Sequence, residues 1–359
     1  MSIEDVLALA RAEVRALTPY LSARMEAGKS AVMLNANESP WPPQEDAGLD
    51  LNRYPEPQPK ALRERLAALY GVTPEQLLLG RGSDEMIDLL VRGFCRPGQD
   101  AVAITPPTFS MYALCAAVQG ARLVTVPLSA ESFMVRAEAL RDACQEGVKL
   151  VFLCSPNNPT GGRVPLEVID YIATELSGRA VLIVDEAYIE YAQAPSVVTL
   201  LSRHPNLGVL HTLSKAWALA GVRIGALLAH ADIVTLLQRI MSPYPLPTPC
   251  VAMAMAAVDE SGERLMHERV RRIIEQREQL ARRLRAWPGV QEVLVSRANF
   301  LCVRFTDAER VYRQLGERGV VVRNLSRYPG LHDALRLSVG TAEDNACLVD
   351  ALQSLTEVV

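Results

Sequence analysis

The sequence predicts an α/β protein with a large domain, built on a mainly parallel central sheet with helices on both faces, and a smaller α+β domain. Short apolar runs alternate with amphipathic segments through the middle of the chain. The pattern changes after a long charged segment that ends near residue 286. A length of 359 residues also exceeds what one ordinary hydrophobic core supports, which favours two domains.

The large domain is predicted from a series of apolar runs, each long enough for one short buried strand. They are AVAIT at 101–105, RLVTV at 122–126, LVFLC at 150–154, AVLIV at 180–184, GVLHTL at 208–213 and GALLA at 225–229. Amphipathic helical patterns occur between them at 84–94 and 166–176. This alternation is typical of a parallel sheet, in which ligands bind beyond the carboxyl ends of the strands.

The smaller domain is predicted from the change of pattern in the last part of the chain. A long helix rich in Arg and Glu is expected at 262–286, followed by Pro288 and Gly289. After it we expect strands near 290–295, 300–304, 320–323 and 334–339, and helices at 308–317 and 342–355. Thr341 and Asp344 have the spacing of a capping box before the last helix.

Proline-rich stretches at 40–59 and 242–249 indicate ordered irregular segments where the chain passes between domains. We therefore expect a large domain of residues 30–258. Residues 1–29, which begin with a helix over 2–17, join residues 259–359 in the small domain.

Charge and composition argue against several classes of protein. The 37 basic and 41 acidic residues give a net charge of −4, which does not support a nucleic-acid partner. The first 18 residues are unlike a signal peptide, and no apolar run reaches the roughly 18 residues that span a bilayer. Seven cysteines without CxxC spacing suit the cytoplasm, each as a small buried residue, and the five histidines predict no metal site.

Polar residues follow two of the predicted strands. The turn SPNNPTG at 155–161 places Asn158 beyond one strand, and Asp185 ends the next. A carboxylate at the edge of a core needs a partner, because desolvating it alone is costly. An ordinary turn at Asn158 and an N-cap or salt bridge at Asp185 are the alternatives to a ligand site.

A lysine and a glycine-rich helix start complete the pattern. Lys215 follows a strand and the hydroxyl residues Thr212 and Ser214, and Arg223 lies eight residues further on. Partial desolvation makes a lysine nucleophilic, although a lysine that only extends its charge to solvent is the alternative. The segment LGRGSDE at 79–85 opens a helix whose free N–H groups suit an anion, or it is only a tight turn.

One ligand accounts for all four segments. Pyridoxal phosphate needs a lysine for its aldehyde, a carboxylate for its ring nitrogen, polar groups for its ring oxygen, and an anion site for its phosphate. The sequence therefore predicts a pyridoxal-phosphate enzyme.

These residues also resemble those of the fold-type I pyridoxal-phosphate-dependent aminotransferases, over nearly the whole chain. The shared motifs are LNANE at 34–38, RGSDE at 81–85, SPNNPTG at 155–161, DEAY at 185–188, TLSK at 212–215, GVR at 221–223 and LRLSVG at 335–340. Within that group the chain is similar to the histidinol-phosphate aminotransferase family in LTPY at 17–20, NRYP at 52–55 and SPYPL at 242–246.

The resemblance implies a role for each matching residue. Lys215 would bond to the cofactor and move protons, and Asp185 would keep the ring nitrogen protonated. Asn158 and Tyr188 would bind the ring oxygen. Phe109, where many relatives have tyrosine, would stack on the ring and adjust activity without abolishing it. The residues implied for the cofactor phosphate are Ser83, Asp84, Thr212, Ser214, Arg223 and, from a partner subunit, Tyr54.

For the substrate, the resemblance implies binding by Tyr20, Asn37, Arg323 and Arg336, the two arginines meeting its anionic end. Surface ion pairs are the alternative for both arginines. It further implies a homodimer that transfers an amino group from L-histidinol phosphate to 2-oxoglutarate, giving imidazole-acetol phosphate and glutamate in histidine biosynthesis. An aromatic aminotransferase, a threonine-phosphate decarboxylase and a regulator that senses pyridoxal phosphate remain open as alternatives.

Overall fold

The computed structural model describes residues 2–20, 32–144 and 147–356, and it contains two β-sheets. The larger sheet is formed by β1 Leu77–Gly80, β2 Ala101–Ile104, β3 Arg122–Thr125, β4 Val148–Cys154, β5 Val181–Asp185, β6 Leu207–Thr212 and β7 Gly225–Ala229. Its strand order is β1-β7-β6-β5-β4-β2-β3, in which β7 is antiparallel to both neighbours and the other pairs are parallel. Each predicted strand of the large domain is present, and β1 was not predicted.

Alternating side chains bury both faces of this sheet. Leu182 and Val184 of β5 belong to one hydrophobic cluster, whereas Val181 and Ile183 belong to another on the opposite face. The prediction of burial is wrong for β3, whose residues are mostly exposed because β3 is the last strand at one edge of the sheet.

The described residues form twelve α-helices. They are α1 Ile3–Leu9, α2 Ala12–Ala16, α3 Lys60–Tyr70, α4 Ser83–Phe94, α5 Met111–Gln119, α6 Ala137–Ala143, α7 Leu166–Glu175, α8 Ala231–Gln238, α9 Thr248–Ala257, α10 Glu260–Arg285, α11 Ala308–Glu317 and α12 Ala342–Thr356. Short 3₁₀ helices span Pro74–Gln76, Ile189–Tyr191 and Val197–Leu200. None of the described helices is long and apolar enough to cross a membrane.

The predicted helix over 2–17 is interrupted. Ala10 is extended, with φ −70° and ψ 156°, and separates α1 from α2. The backbone N–H of Arg11 donates to the carbonyl oxygen of Gly93 at 3.0 Å, and its guanidinium donates to the carbonyl oxygen of Arg92 at 3.0 Å. These contacts with the end of α4 fix the chain where the helix breaks.

The smaller sheet is antiparallel and has the order β10-β11-β9-β8. Its strands are β8 Val290–Val293, β9 Phe300–Phe305, β10 Arg323–Asn324 and β11 Ala334–Ser338. Its side chains share a core with α10, α11 and α12. Of the strand predicted at 320–323, only Arg323 is paired, in the two-residue β10, and Val321 is 89% exposed and packs against no core.

Two further sequence predictions have clear outcomes. The capping box is present, because the N–H of Asp344 donates to Thr341 Oγ1 at 3.1 Å and the N–H of Thr341 donates to Asp344 Oδ2 at 3.0 Å. The prediction that every cysteine is buried is wrong for Cys347, which is exposed, and for Cys250, which is partly exposed. The limits of the two domains stay a prediction.

Candidate active site

A cavity of about 230 Å³ lies at the carboxyl ends of β4, β5 and β6, beside the start of α4. Because these parallel strands end at the same edge of the sheet, their last residues and the loops that follow them meet there. The predicted site residues that line this cavity are Ser83, Asp84, Phe109, Asn158, Asp185, Tyr188, Thr212, Ser214, Lys215, Arg223, Arg323 and Arg336.

Lys215 extends into the cavity from the loop after β6. Its Nζ lies 5.7 Å from the centroid of the Tyr188 ring. The cavity walls remove water from the ammonium, and this desolvation lowers the pKa of Lys215 below its ordinary value. The positive charge of Arg336 lowers that pKa further. A larger share of Lys215 is therefore in the neutral, nucleophilic form.

Asp185, at the end of β5, is 2% exposed and has a partner for each carboxylate oxygen. The hydroxyl of Tyr112 donates to Oδ2 at 2.7 Å, and the N–H of Ala187 donates to Oδ1 at 3.1 Å. Burial raises the pKa of Asp185 to about 6, while these two hydrogen bonds act in the opposite direction. At neutral pH the carboxylate is therefore mostly ionised and able to pair with a protonated ring nitrogen.

The start of α4 and Arg223 form a small anion site. Gly82 precedes the helix with φ 82°, and a Cβ there would lie 2.7 Å from Arg223 Nη2. A Cβ on Gly225 would lie 2.3 Å from the backbone nitrogen of Ser83. Only glycine allows this close approach, which brings the cation beside the free N–H groups of the helix start.

Hydroxyl and carboxylate groups surround the same anion site. Arg223 Nη2 lies 3.2 Å from Asp84 Oδ2, which holds the guanidinium over the helix start. The Thr212 hydroxyl donates to the Ser214 hydroxyl oxygen at 3.0 Å. Backbone N–H groups, two hydroxyls and one guanidinium are the donors that a phosphate requires.

A pair of arginines on the smaller sheet borders the cavity. Arg323 of β10 and Arg336 of β11 are opposite each other in the antiparallel register. Arg336 donates a hydrogen bond to Asn158 Oδ1, and Asn158 Nδ2 donates to the Tyr188 hydroxyl oxygen at 3.4 Å. Because like charges opposite each other repel, an anionic ligand between the two arginines would stabilise this arrangement.

Comparison with known proteins agrees with this geometry. Residues 24–352 match the sequence model of a family described as "Aminotransferase class I and II". The chain belongs to this aminotransferase family. A histidinol-phosphate aminotransferase from Stenotrophomonas maltophilia (strain R551-3) is 51% identical over 355 residues, covering 98% of each chain. One from Xanthomonas euvesicatoria pv. vesicatoria (strain 85-10) is 49% identical over 362 residues, covering 100% of each.

A solved structure extends the comparison to the cofactor. The histidinol-phosphate aminotransferase from Sinorhizobium meliloti, in complex with pyridoxal-5'-phosphate, is 25% identical with a TM-score of 0.77. The match covers 96% of this chain and 98% of that one. The predicted type I α/β fold of this aminotransferase is confirmed, and the family and this complex imply pyridoxal phosphate as its cofactor.

The donor set fits that cofactor. The two glycines keep open a phosphate site that a Cβ would fill, and Lys215 and Asp185 line the same cavity. Asn158 and Tyr188 supply polar atoms for a ring oxygen.

Three predicted residues of this aminotransferase lie outside the cavity of the single chain. Tyr54 is 48% exposed, and its ring stacks on that of Tyr244 with centroids 4.5 Å apart. Asn37 and Tyr54 line a separate cavity, and Tyr20 is 69% exposed. Their predicted roles in substrate and phosphate binding stay predictions.

Several residues of the aminotransferase site were missed by sequence reasoning. Tyr328 and Cys154 line the cavity, and Tyr112 lies beneath it. Asn157 is the structural member of the asparagine pair, since it binds Pro107 O and the Thr160 hydroxyl while Asn158 lines the cavity. Tyr112 comes three residues after Phe109, at the start of an apolar helix, and no signal in the sequence marks it as a neighbour of the site.

Proposed function

We propose that the chain transfers the amino group of L-histidinol phosphate to 2-oxoglutarate with pyridoxal phosphate as cofactor, a step of histidine biosynthesis. The products are imidazole-acetol phosphate and glutamate. The observation that carries this proposal is one cavity in which Lys215 and Asp185 occur together with two separate cationic groups. The names of relatives about half identical to this chain over its full length support the choice of substrate.

One cationic group, Arg223 with the start of α4, would hold the cofactor phosphate together with the Thr212 and Ser214 hydroxyls. Asp185 would hold a proton at the ring nitrogen, and Phe109 would stack on the ring. Asn158 and Tyr188 would bind the ring oxygen. When bound, the cofactor supplies an aldehyde that bonds to amines and a ring that withdraws negative charge from a substrate carbon.

Lys215 would move the proton that transamination requires. Its amine would take the proton from the substrate α-carbon as a general base and give it back as a general acid. The lowered pKa of Lys215 makes a neutral amine available for this step.

The second cationic group would bind the anionic end of the substrate. Arg323 and Arg336 face each other across two strands, and both line the cavity. Either a phosphate or a carboxylate can pair with two guanidinium groups, so one site would serve both substrates in turn. Tyr20 and Asn37 would contribute to this binding.

A homodimer would complete each site. Tyr54 lies outside the cavity of its own chain and is half exposed. We propose that Tyr54 contacts the cofactor phosphate of the partner subunit.

Rapid mixing of the purified protein with L-histidinol phosphate tests the proposed reaction. We expect the absorbance of the lysine-bound cofactor to convert to that of its amine form, and 2-oxoglutarate to reverse the change. A response only to aromatic amino acids, or decarboxylation of threonine phosphate, would overturn the substrate and retain the cofactor. Protein without any cofactor absorbance after incubation with pyridoxal phosphate would overturn the cofactor.

A further inference from the structure

A tyrosine that the proposed mechanism does not use lies directly beneath the cavity. Tyr112, in α5, is fully buried. Its ring stacks on that of Phe152 with centroids 4.8 Å apart and planes 5° from parallel. Its edge contacts Phe109, the residue proposed to stack on the cofactor, with centroids 5.7 Å apart. Its hydroxyl donates to Asp185 Oδ2 at 2.7 Å.

Packing alone does not require this hydroxyl. A phenylalanine would make the same stack on Phe152 and the same edge contact with Phe109. The hydroxyl is placed where a buried group without a partner is costly, and besides the Cys154 thiol its partner is the most buried carboxylate of the site. The hydrogen bond therefore affects the charge and the orientation of the Asp185 carboxylate.

We propose that Tyr112 is a positioning residue that keeps the Asp185 carboxylate oriented and charged toward the ring nitrogen of the cofactor. The proposal rests on the proposed function, because it is the cofactor that gives this charge its use. The N–H of Ala187 fixes one carboxylate oxygen and Tyr112 fixes the other, so the carboxylate cannot rotate without losing both bonds.

The other groups around Asp185 do not replace this hydrogen bond. The negative charge of Asp84, from α4, raises the pKa of Asp185, and His211, from β6, lowers it only as the smallest contribution. Cys154, at the end of β4, is a thiol whose pKa is raised by burial and by Asp185 itself. On the cavity side, the negative charge of Asp185 raises the pKa of both Tyr188 and Lys215.

The raised pKa of Asp185 determines how the stability cost of losing the Tyr112 hydroxyl depends on pH. A carboxyl with a folded-state pKa of about 6 binds its proton more tightly when folded, so its contribution to stability falls as pH rises from about 4 to 6. Removal of the Tyr112 hydroxyl raises this pKa further. The cost of the substitution is therefore larger at pH 8, where Asp185 must be charged, than at pH 5.

The test uses the full-length chain freed of cofactor and Tyr112→Phe, which removes only the hydroxyl. We expect the ratio of folded to unfolded protein, from denaturation at equal protein concentration, to fall about tenfold more at pH 8 than at pH 5 for each unit of pKa shift. In an Asp185→Asn background this pH dependence disappears. Pyridoxal phosphate should bind Tyr112→Phe about tenfold more weakly at pH 8, since a hydrogen bond to a charged group is lost.

Tyr191→Phe is the matched control. Tyr191 is also a buried tyrosine, but its side chain bonds to Asn299 instead of Asp185. Its substitution should lower the free energy of unfolding by the same amount at pH 5 and pH 8. A pH-independent cost for Tyr112→Phe, or one unchanged in the Asp185→Asn background, would reduce Tyr112 to a packing residue and overturn the proposal.

Two further outcomes are informative. If Tyr112→Phe does not fold, rescue by Asp185→Asn supports the proposal, because the uncompensated charge is then removed, whereas no rescue overturns it. If neither the wild-type chain nor Tyr112→Phe binds pyridoxal phosphate, the proposed function fails. The denaturation result still decides whether Tyr112 and Asp185 are coupled.

Discussion

A comparison of two lysines, one in the cavity and one on the surface, tests the chemical role of Lys215. Lys215 lines the cavity, whereas the Lys60 side chain is 80% exposed beside Glu64 on α3. We predict that Lys215→Ala abolishes the absorbance of the lysine-bound cofactor and lowers kcat/KM by at least roughly 100- to 10,000-fold, the range for a lost general acid–base. Spectra and steady-state transamination measure both effects, and Lys60→Ala should change neither.

The spectrum matters because a folding defect would also lower activity. Lys215→Ala should retain the circular dichroism of the wild type, since the side chain extends into a cavity and no core atom is removed. Persistence of the lysine-type absorbance in this variant would show that another amine bonds to the cofactor.

Single residues at the ends of strands were predictable, and their partners were not. Asp185 and Lys215 are conspicuous because each interrupts or follows an apolar run. Tyr112 is an aromatic residue in an apolar helix, and the sequence does not distinguish a packing ring from one with a hydroxyl bonded across 73 residues of chain. Tyr54 was predicted as a site residue, but the fold of the described single chain does not bring it to the cavity.

Close contact between β7 and the start of α4 makes the anion site sensitive to one methyl group. We predict that Gly225→Ala costs about 1–3 kcal/mol of stability, as overpacking does, because its Cβ would lie 2.3 Å from the Ser83 nitrogen. Displacement of Ser83 should also weaken binding of pyridoxal phosphate. Denaturation and cofactor titration measure the two effects.

Gly221→Ala is the control in the neighbouring loop, since its Cβ would have no heavy atom within 4 Å. Its stability should remain within about 0.5 kcal/mol of the wild type. If Gly225→Ala and Gly221→Ala bind the cofactor with equal affinity, the close contact at Gly225 does not contribute to phosphate binding.

A buried arginine of α10 connects the two parts of the fold. The Arg277 side chain is 2% exposed, and Nη1 donates to the carbonyl oxygens of Ala298 at 2.9 Å and Tyr191 at 3.4 Å. We predict that Arg277→Met lowers stability by about 2–4 kcal/mol, because buried acceptors lose their donor. Thermal or chemical denaturation measures this loss.

The control is Arg272→Met, whose side chain is 73% exposed on the same helix and whose removal should cost less than about 1 kcal/mol. Similar losses in both variants would contradict a structural role for the buried contacts.

Elements were predicted where a local pattern determines them. Helix α11 lies at the predicted 308–317, because its apolar residues recur at helical spacing between clear end signals. The exposure of β3 depends on its place at the sheet edge, and the shortness of β10 depends on which residues of 320–323 find a partner strand. Both depend on contacts distant in sequence, which a local pattern does not contain.

At the scale of the whole molecule, the cavity is formed by both sheets. Lys215 and Asp185 come from the larger sheet, whereas Arg323 and Arg336 come from the smaller one. The sequence predicted both sheets from their different patterns, and only the fold shows that the two arginines are opposite each other on adjacent strands. The groups proposed to bind the cofactor and those proposed to bind the substrate are thus carried by separate elements.

Subunit hybrids test whether Tyr54 acts across a dimer interface. A hybrid dimer of one Lys215→Ala chain and one Tyr54→Ala chain, isolated with two affinity tags, would have one site with both residues intact. We therefore predict about half of the wild-type activity, since a symmetric dimer has two equivalent sites. The matched control pairs a wild-type chain with a chain carrying both substitutions, and it should have no intact site. If Tyr54 instead acts within its own chain, the two hybrids exchange their activities, because the wild-type chain of the control then keeps a complete site.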